Sequence, residues 1–325
     1  MVDRKLYISY LIKNEIRRKS NALYNRFYRF TGQNNIFNRK EYSGERFKEF
    51  YETNKKIEAY IDSGQPFLVA RYGGTEMNML CAYFDKKVFH REQRYQDAVH
   101  LLCETAGFFP DDGELAARFV EYILDISKEV DLLGVWDLFM EDFICERYAI
   151  NAEFTKLRNI EPYYAEDRNP WSHALAGKRV LVIHPFAESI QIQYSKRDRI
   201  WGDRAVLPEF ELQTIRAIQT MADQKDDRFN NWFEALEYMI EECEKREFDI
   251  ALIGCGAYGM PLAAEIKRMG KGAIHMGGPL QILFGIKGNR WDVHPIISRF
   301  YNNAWIRPVE HLPKGAERVE SACYW

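Results

Sequence analysis

Short apolar runs alternate with amphipathic stretches along most of this chain. Residues 67–70 (FLVA), 130–136 (VDLLGVW), 178–183 (KRVLVI), 250–253 (IALI) and 273–276 (AIHM) have the length and composition of buried strands, and 208–212 is a weaker sixth. Between them lie stretches with helical spacing. Residues 42–64 carry a stripe of Phe47, Phe50, Tyr51, Ile57 and Ile61, closed by Ser63-Gly64-Gln65-Pro66. Residues 77–84, 115–126, 137–156, 190–194, 261–269 and 279–286 also read as helix, and 229–246 places Trp232, Phe233, Leu236, Met239, Ile240 and Cys243 on one face. Asp111 and Asp112 suit the start of the 115–126 helix better than a metal. Strands that alternate with helices predict an α/β fold, a mostly parallel, Rossmann-like sheet flanked by helices.

Two of the strands end in glycine turns. The later is Gly254-Cys255-Gly256-Ala257-Tyr258-Gly259, a literal G-x-G-x-x-G between strand and helix, and the next strand ends at His275-Met276-Gly277-Gly278. Glycines let backbone approach a ligand, and the first N–H groups of a helix lack partners within it, so such turns favour a phosphate. A dinucleotide site also wants an acidic residue about 20 positions on. That position falls in Ile274-His275-Met276-Gly277, which has none. Tight packing of a strand–helix turn is the plainer reading. The earlier turn is Arg71-Tyr72-Gly73-Gly74-Thr75-Glu76. Arg71 could hold a phosphate in its planar fork, and Glu76 could act as a base or ligate a divalent cation; alternatively the two close the turn as an ion pair.

His184 sits where the 178–183 strand ends, a place suited to substrate positioning or proton transfer, although a lone histidine is more often structural. Lys196 and Arg197 could neutralise a diphosphate or simply face solvent, and Tyr258 could stack on a base or sugar or be buried. The sequence has no G-x-S-x-G elbow, which removes a hydrolase triad from consideration.

Composition adds bounds. The 325 residues suit one large α/β domain or two smaller ones, and 46% hydrophobic with 29% charged is the mix of a soluble globular protein. No apolar run approaches the roughly 18 residues that span a bilayer. The first residues lead into no signal-peptide core, so the cytoplasm is the expected location. The six cysteines form no C-x-x-C pair and are expected as buried, reduced thiols. The net charge of −3 conceals an asymmetry: residues 1–40 hold ten Lys or Arg against Asp3 and Glu15, a surplus of +8, so the remainder carries −11. Aromatic residues are interleaved with these cations. The pattern predicts a basic helical arm over residues 1–60, before an α/β domain over 61–325. Residues 1–40 could lie on the inner face of an anionic membrane or pack as a solvated helix on their own domain. No nucleic-acid motif accompanies them.

The two turns carry a family resemblance. RYGGTE (71–76) is similar to the R-F-G-D-G-E-type motif of bacterial glycosyltransferases of the GT-D fold, and GCGAYGMPLAAEIKRMGKGAIHMGG (254–278) resembles their second signature. The tail, with YNNAW-x-RP and a final CYW, resembles uncharacterised members encoded among polysaccharide genes. The resemblance covers residues 67–325. It implies a hexosyltransferase-type enzyme of bacterial surface polysaccharide synthesis. Its donor would be a nucleotide-diphosphate sugar, UDP-linked, and its acceptor a glycan, a lipid-linked molecule or a protein.

In that family the D-x-E carboxylates help hold Mn²⁺ or Mg²⁺ and the donor diphosphate. Here the Asp position is Gly74 and the Glu position is Glu76, so one carboxylate is missing. The roles implied are Glu76 as base or remaining metal ligand, Arg71 against the leaving phosphates, and His184 in catalysis. Gly73, Gly74, Gly254, Gly256, Ala257, Tyr258, Gly259, His275, Gly277 and Gly278 would bind the donor. Two other classes stay open: an oxidoreductase or methyltransferase built on the G-x-G-x-x-G turn, and a sugar-nucleotide-binding protein without catalysis.

Overall fold

The computed structural model describes residues 3–28, 40–42, 44–165, 169–204, 206–222, 224–319 and 321–325. Its elements run α1 (Arg4–Tyr28), β1 (Glu41–Tyr42), β2 (Glu45–Arg46), α2 (Phe50–Ser63), β3 (Phe67–Ala70), α3 (Gly74–Phe89), α4 (Glu92–Ala106), α5 (Gly113–Ile126), β4 (Leu132–Val135), α6 (Glu141–Tyr148) and β5 (Glu153–Lys156). Then come β6 (Arg179–His184), α7 (Ala187–Tyr194), α8 (Arg197–Trp201), β7 (Glu211–Arg216), α9 (Trp232–Glu244), β8 (Ile250–Ile253), α10 (Gly259–Arg268), β9 (Gly272–His275), α11 (Leu280–Leu283) and α12 (Asn289–Asp292), with short 3₁₀ turns between.

β3 to β9 form one sheet in the order β5-β4-β3-β9-β8-β6-β7, and every ladder in it is parallel. The alternation of side chains along a strand supplies two cores, one on each face. Leu68, Ala70, Leu181, Ile183, Ala251 and Ile253 enter the core under α3, α4, α5, α9 and α10. Phe67, Val69, Val180, Val182, Ile250 and Leu252 enter the opposite one, with residues of α2, α7 and α11. Strands covered on both faces must be apolar at successive positions, which is why the inner strands β3, β8 and β9 were plain in the sequence. β7 is an edge strand with mostly exposed or half-buried residues, and it lies at Glu211–Arg216 where 208–212 was expected.

Three expectations are corrected. Residues 42 and 44–49 are not helix: β1 and β2 pair antiparallel, and the Lys48 N–H bonds the Phe154 carbonyl at 2.8 Å. Buried Tyr42 packs edge-on against Phe47 and Phe154, with ring centroids at 4.9 and 5.4 Å, so contact with the sheet edge overrides helical spacing there. Residues 137–156 hold one short helix and then β5, whose ladder to β4 captures residues 153–156. The helix expected over 279–286 is the four-residue α11. In addition α4 is a full helix beyond those expected, with Tyr95, Ala98, Val99 and Leu102 buried at regular helical spacing.

The arm's helix packs on its own domain. Tyr7 is buried and its hydroxyl bonds Asp85 Oδ1 at 2.9 Å; Tyr10 pairs with Glu146, Asn14 Nδ2 donates to Asp142 at 2.9 Å, and Arg17 pairs with Asp137. Ile12, Ile16 and Leu23 on its other side stay exposed. Among the described residues no helix is long and apolar enough to cross a membrane. Residues 1, 2 and 29–39 of the basic stretch lie outside the described residues. All six cysteines are free, and all but Cys103 are buried.

Candidate functional site

In an open parallel sheet, ligands bind beyond the carboxyl ends of the strands, where strand order reverses. Here β3 is followed on one side by β4 and on the other by β9. A cavity of ≈ 220 Å³ lies at that crevice, against the roughly 30 Å³ that one water occupies in the liquid. Six of the seven strands contribute its lining at or just past their ends: Arg71 and Gly73, Gly74, Thr75 and Glu76 at β3, Trp136 at β4, His184, Pro185 and Phe186 at β6, Ile218, Gln219, Thr220 and Met221 at β7, Gly254, Cys255, Gly256 and Tyr258 at β8, and His275, Gly277 and Gly278 at β9. The two glycine turns therefore meet at one cavity.

The first turn ends β3 and starts α3. A Cβ on Gly73 would lie 1.7 Å from Glu76 Oε2, so glycine is what allows the Glu76 carboxylate to fold back over the turn. Burial raises the Glu76 pKa above its ordinary value, partly opposed by its own backbone N–H and by the Arg71 charge. No ion pair joins Arg71 and Glu76. The Arg71 guanidinium instead lies 4.6 Å from the Trp136 ring centroid and reaches Gly277, where a Cβ would come within 2.7 Å of Nη1. Its Nε is buried without a hydrogen-bond partner.

The second turn is more tightly packed than a phosphate loop needs. A Cβ on Gly254 would sit 2.5 Å from the Gly277 carbonyl oxygen and 2.8 Å from His184 Cδ2. One on Gly256, at φ +56°, would sit 2.8 Å from the Ala106 carbonyl oxygen, and one on Gly259 2.2 Å from His275 Nε2. Protein atoms thus account for all three glycines. Gly254, Gly256 and Tyr258 still line the cavity; Ala257 and Gly259 do not. Tyr258 is buried with its ring stacked on Trp232, centroids 5.0 Å apart and planes at 9°, so that face is closed to a base or sugar.

Both strand-end histidines are neutral. Burial lowers the His184 pKa to about 3, and the Phe186 N–H donates to Nδ1 at 3.0 Å, which leaves the proton on Nε2. His184 is thereby arranged to donate a hydrogen bond and not to accept a proton. His275 is lowered to about 3 by burial and by the nearby Arg71 charge, partly opposed by a hydrogen bond to the Arg71 backbone. Lys196 and Arg197 are not brought to the cavity; Arg197 pairs with Glu209 at 2.7 Å.

Several lining residues were not among the expected site residues, although the final CYW was part of the resemblance. Tyr324 and Trp325 arrive from the tail: the Tyr324 ring covers Gly278, where a Cβ would lie 2.1 Å from Cε1, and its hydroxyl accepts from Arg290 Nη1 at 3.2 Å. Trp325 meets Phe186 edge-on at 4.9 Å. Thr75 and Thr105 line the cavity with hydroxyls 3.0 Å apart. Trp136 closes the run VDLLGVW, a strand end that could have marked it.

A divalent cation does not fit this donor set. Among the described residues Glu76 is the single side-chain carboxylate of the lining, its pKa is raised, and Gly74 offers no ligand. Among the described residues no three His, Cys, Asp or Glu side chains group as a metal set. Mn²⁺ and Mg²⁺ prefer several oxygen ligands.

Compared with known proteins, no family model matches the chain and no curated protein does. Two solved structures align with 84% of this chain and 99% of their own, at 13% identity. One is a selenomethionine structure of domain of unknown function 1792, with a TM-score of 0.40. The other is of the same domain, described as having a distinct glycosyltransferase fold, with a TM-score of 0.39. Likeness at this distance leaves the chemistry to be read from the site itself.

Proposed function

We propose that this protein is a glycosyltransferase that takes a sugar from a nucleoside-diphosphate donor, UDP-linked, and passes it to an acceptor hydroxyl. The observation that carries the reading is the meeting of Arg71, Glu76 and the Gly254–Tyr258 turn around one cavity at the strand ends. Glu76 takes the proton of the acceptor hydroxyl. That oxygen forms the new bond to the anomeric carbon as the bond to the donor diphosphate breaks. A carboxylate with a raised pKa is a stronger base at neutral pH than an ordinary one. Arg71, with Nε unpartnered, offsets charge growing on the leaving diphosphate. His184 donates from Nε2 to position substrate. No step is assigned to a metal, so EDTA treatment is expected to leave turnover unchanged.

The test is a thermal-shift screen of UDP-, GDP- and CMP-sugars, NAD(P) and S-adenosylmethionine, followed by donor turnover in Glu76→Gln. A ligand that binds the folded state raises its melting point. Stabilisation by a nucleotide sugar and loss of turnover in the variant are expected. Stabilisation by NAD(P) or S-adenosylmethionine alone would point to an oxidoreductase or methyltransferase. Donor binding with no turnover in the wild type would leave a binding protein.

We further propose that α1 rests on an anionic membrane surface. Its inner side is taken up by the domain, and Ile12, Ile16 and Leu23 are 53%, 61% and 58% exposed beside Lys5 and Lys19. Apolar side chains among cations suit that surface.

A further inference from the structure

Of the large apolar side chains left exposed among the described residues, Trp136 alone lines the cavity; it is 43% exposed. It is exposed yet firmly held. Its Nε1 donates to the Tyr72 carbonyl at 3.1 Å, and Arg71 lies against the ring. A Cβ on Gly74 would contact its Cη2 and Cζ2 at 3.6 and 3.7 Å. The loop that follows takes two left-handed turns at non-glycine residues, Asp137 (φ 64°) and Met140 (φ 62°). Helix α1 fixes both: Arg17 pairs with Asp137, and the Met140 N–H donates to Asn14 Oδ1 at 3.0 Å. A loop held in this way presents a preorganised aromatic face.

The place of that face decides what it meets. It adjoins Gly74 and Arg71, within the turn that carries Glu76, and so lies beside the reacting centre. A sugar ring suits this spot. It has one face of C–H groups for an indole and a rim of hydroxyls for Thr75, Thr105 and Glu76. We propose that the acceptor is a saccharide, its ring stacked on Trp136 and one rim hydroxyl turned to Glu76. This rests on the glycosyltransferase reading and narrows the acceptor class, since a serine or threonine peptide or a lipid alcohol has no ring to stack.

The experiment uses the full chain, with Trp136→Leu, Trp136→Phe and the wild type compared. Saturation-transfer NMR with methyl glycosides of common hexoses reads saccharide contact without a donor. Wild type and Trp136→Phe should saturate the C–H face of a glycoside, and Trp136→Leu should not. In donor turnover, a methyl glycoside should speed release of the nucleoside diphosphate. Trp136→Leu should raise the glycoside KM at least tenfold while changing donor Kd less than threefold, and Trp136→Phe should restore most of the difference. Acceleration by a serine- and threonine-containing peptide with indifference to every glycoside overturns the proposal and leaves the transferase reading standing. So does an equal effect of Trp136→Leu on donor Kd and glycoside KM. If the wild type binds no nucleotide sugar, both readings fall together.

Discussion

Glu76 and Arg71 carry opposite charges five residues apart and yet do not pair; each is kept for the cavity. For Glu76 as base, Glu76→Gln should lower transfer by about 10²–10⁴-fold while donor binding survives, measured by turnover and calorimetry. Its raised pKa sets the sign of the pH dependence: the base must be ionised, so activity should climb with pH through a value above the ordinary 4.5. The stability profile has a different source. Burial raises Glu141 and Glu161 to about 7, so the folded state holds those protons more tightly than the unfolded chain does. Their contribution is full below 4.5 and is lost as pH rises through 7. His184 and His275, held neutral by burial, act in the opposite sense up to about 6.5, so the test is a difference between two proteins: across that window Glu161→Gln should lose less melting temperature, or gain more, than the wild type. At Gly254, a methyl group would meet the Gly277 carbonyl oxygen, so Gly254→Ala should cost about 1–3 kcal/mol in denaturant unfolding. Arg71 and Glu76 were legible because a glycine turn at a strand end has few uses. Tyr324 and Arg290 were not, since only the folded chain brings them near residue 278.

Among the elements, α1 joins two proposals. One side of it holds the Trp136 loop through Asn14 and Arg17, and the other presents Ile12 and Ile16. Arg17→Ala should raise acceptor KM several-fold with little change in donor Kd, because it loosens Asp137 and leaves Arg71 in place. Ile12→Glu with Ile16→Glu should abolish co-sedimentation with phosphatidylserine vesicles; unchanged binding would remove the membrane contact. The inner strands could be read from their apolar runs, because both faces are covered. β5 could not: two of its four residues are not buried, and its polar Glu153 and Lys156 look like helix surface. The pairing of β1 with β2 was hidden for a related reason: Phe47, which packs with Tyr42 at the sheet edge, falls in line with the helical stripe of α2.

At the scale of the molecule, parallel strands alternating with helices gather chemistry from distant parts of the chain at one rim. That the sheet would be parallel followed from the alternation of elements. Its order did not, because insertion of β9 between β3 and β8 depends on long-range pairing that periodicity does not encode. This insertion sets Arg71 against Gly277 and brings the 71–76 and 254–259 turns to one cavity. Hydrogen exchange of the full chain with and without UDP tests that convergence most directly. Amides of both segments should slow together, with one midpoint along the UDP titration. Protection of only one segment, or of neither at saturating UDP, would contradict a shared diphosphate site.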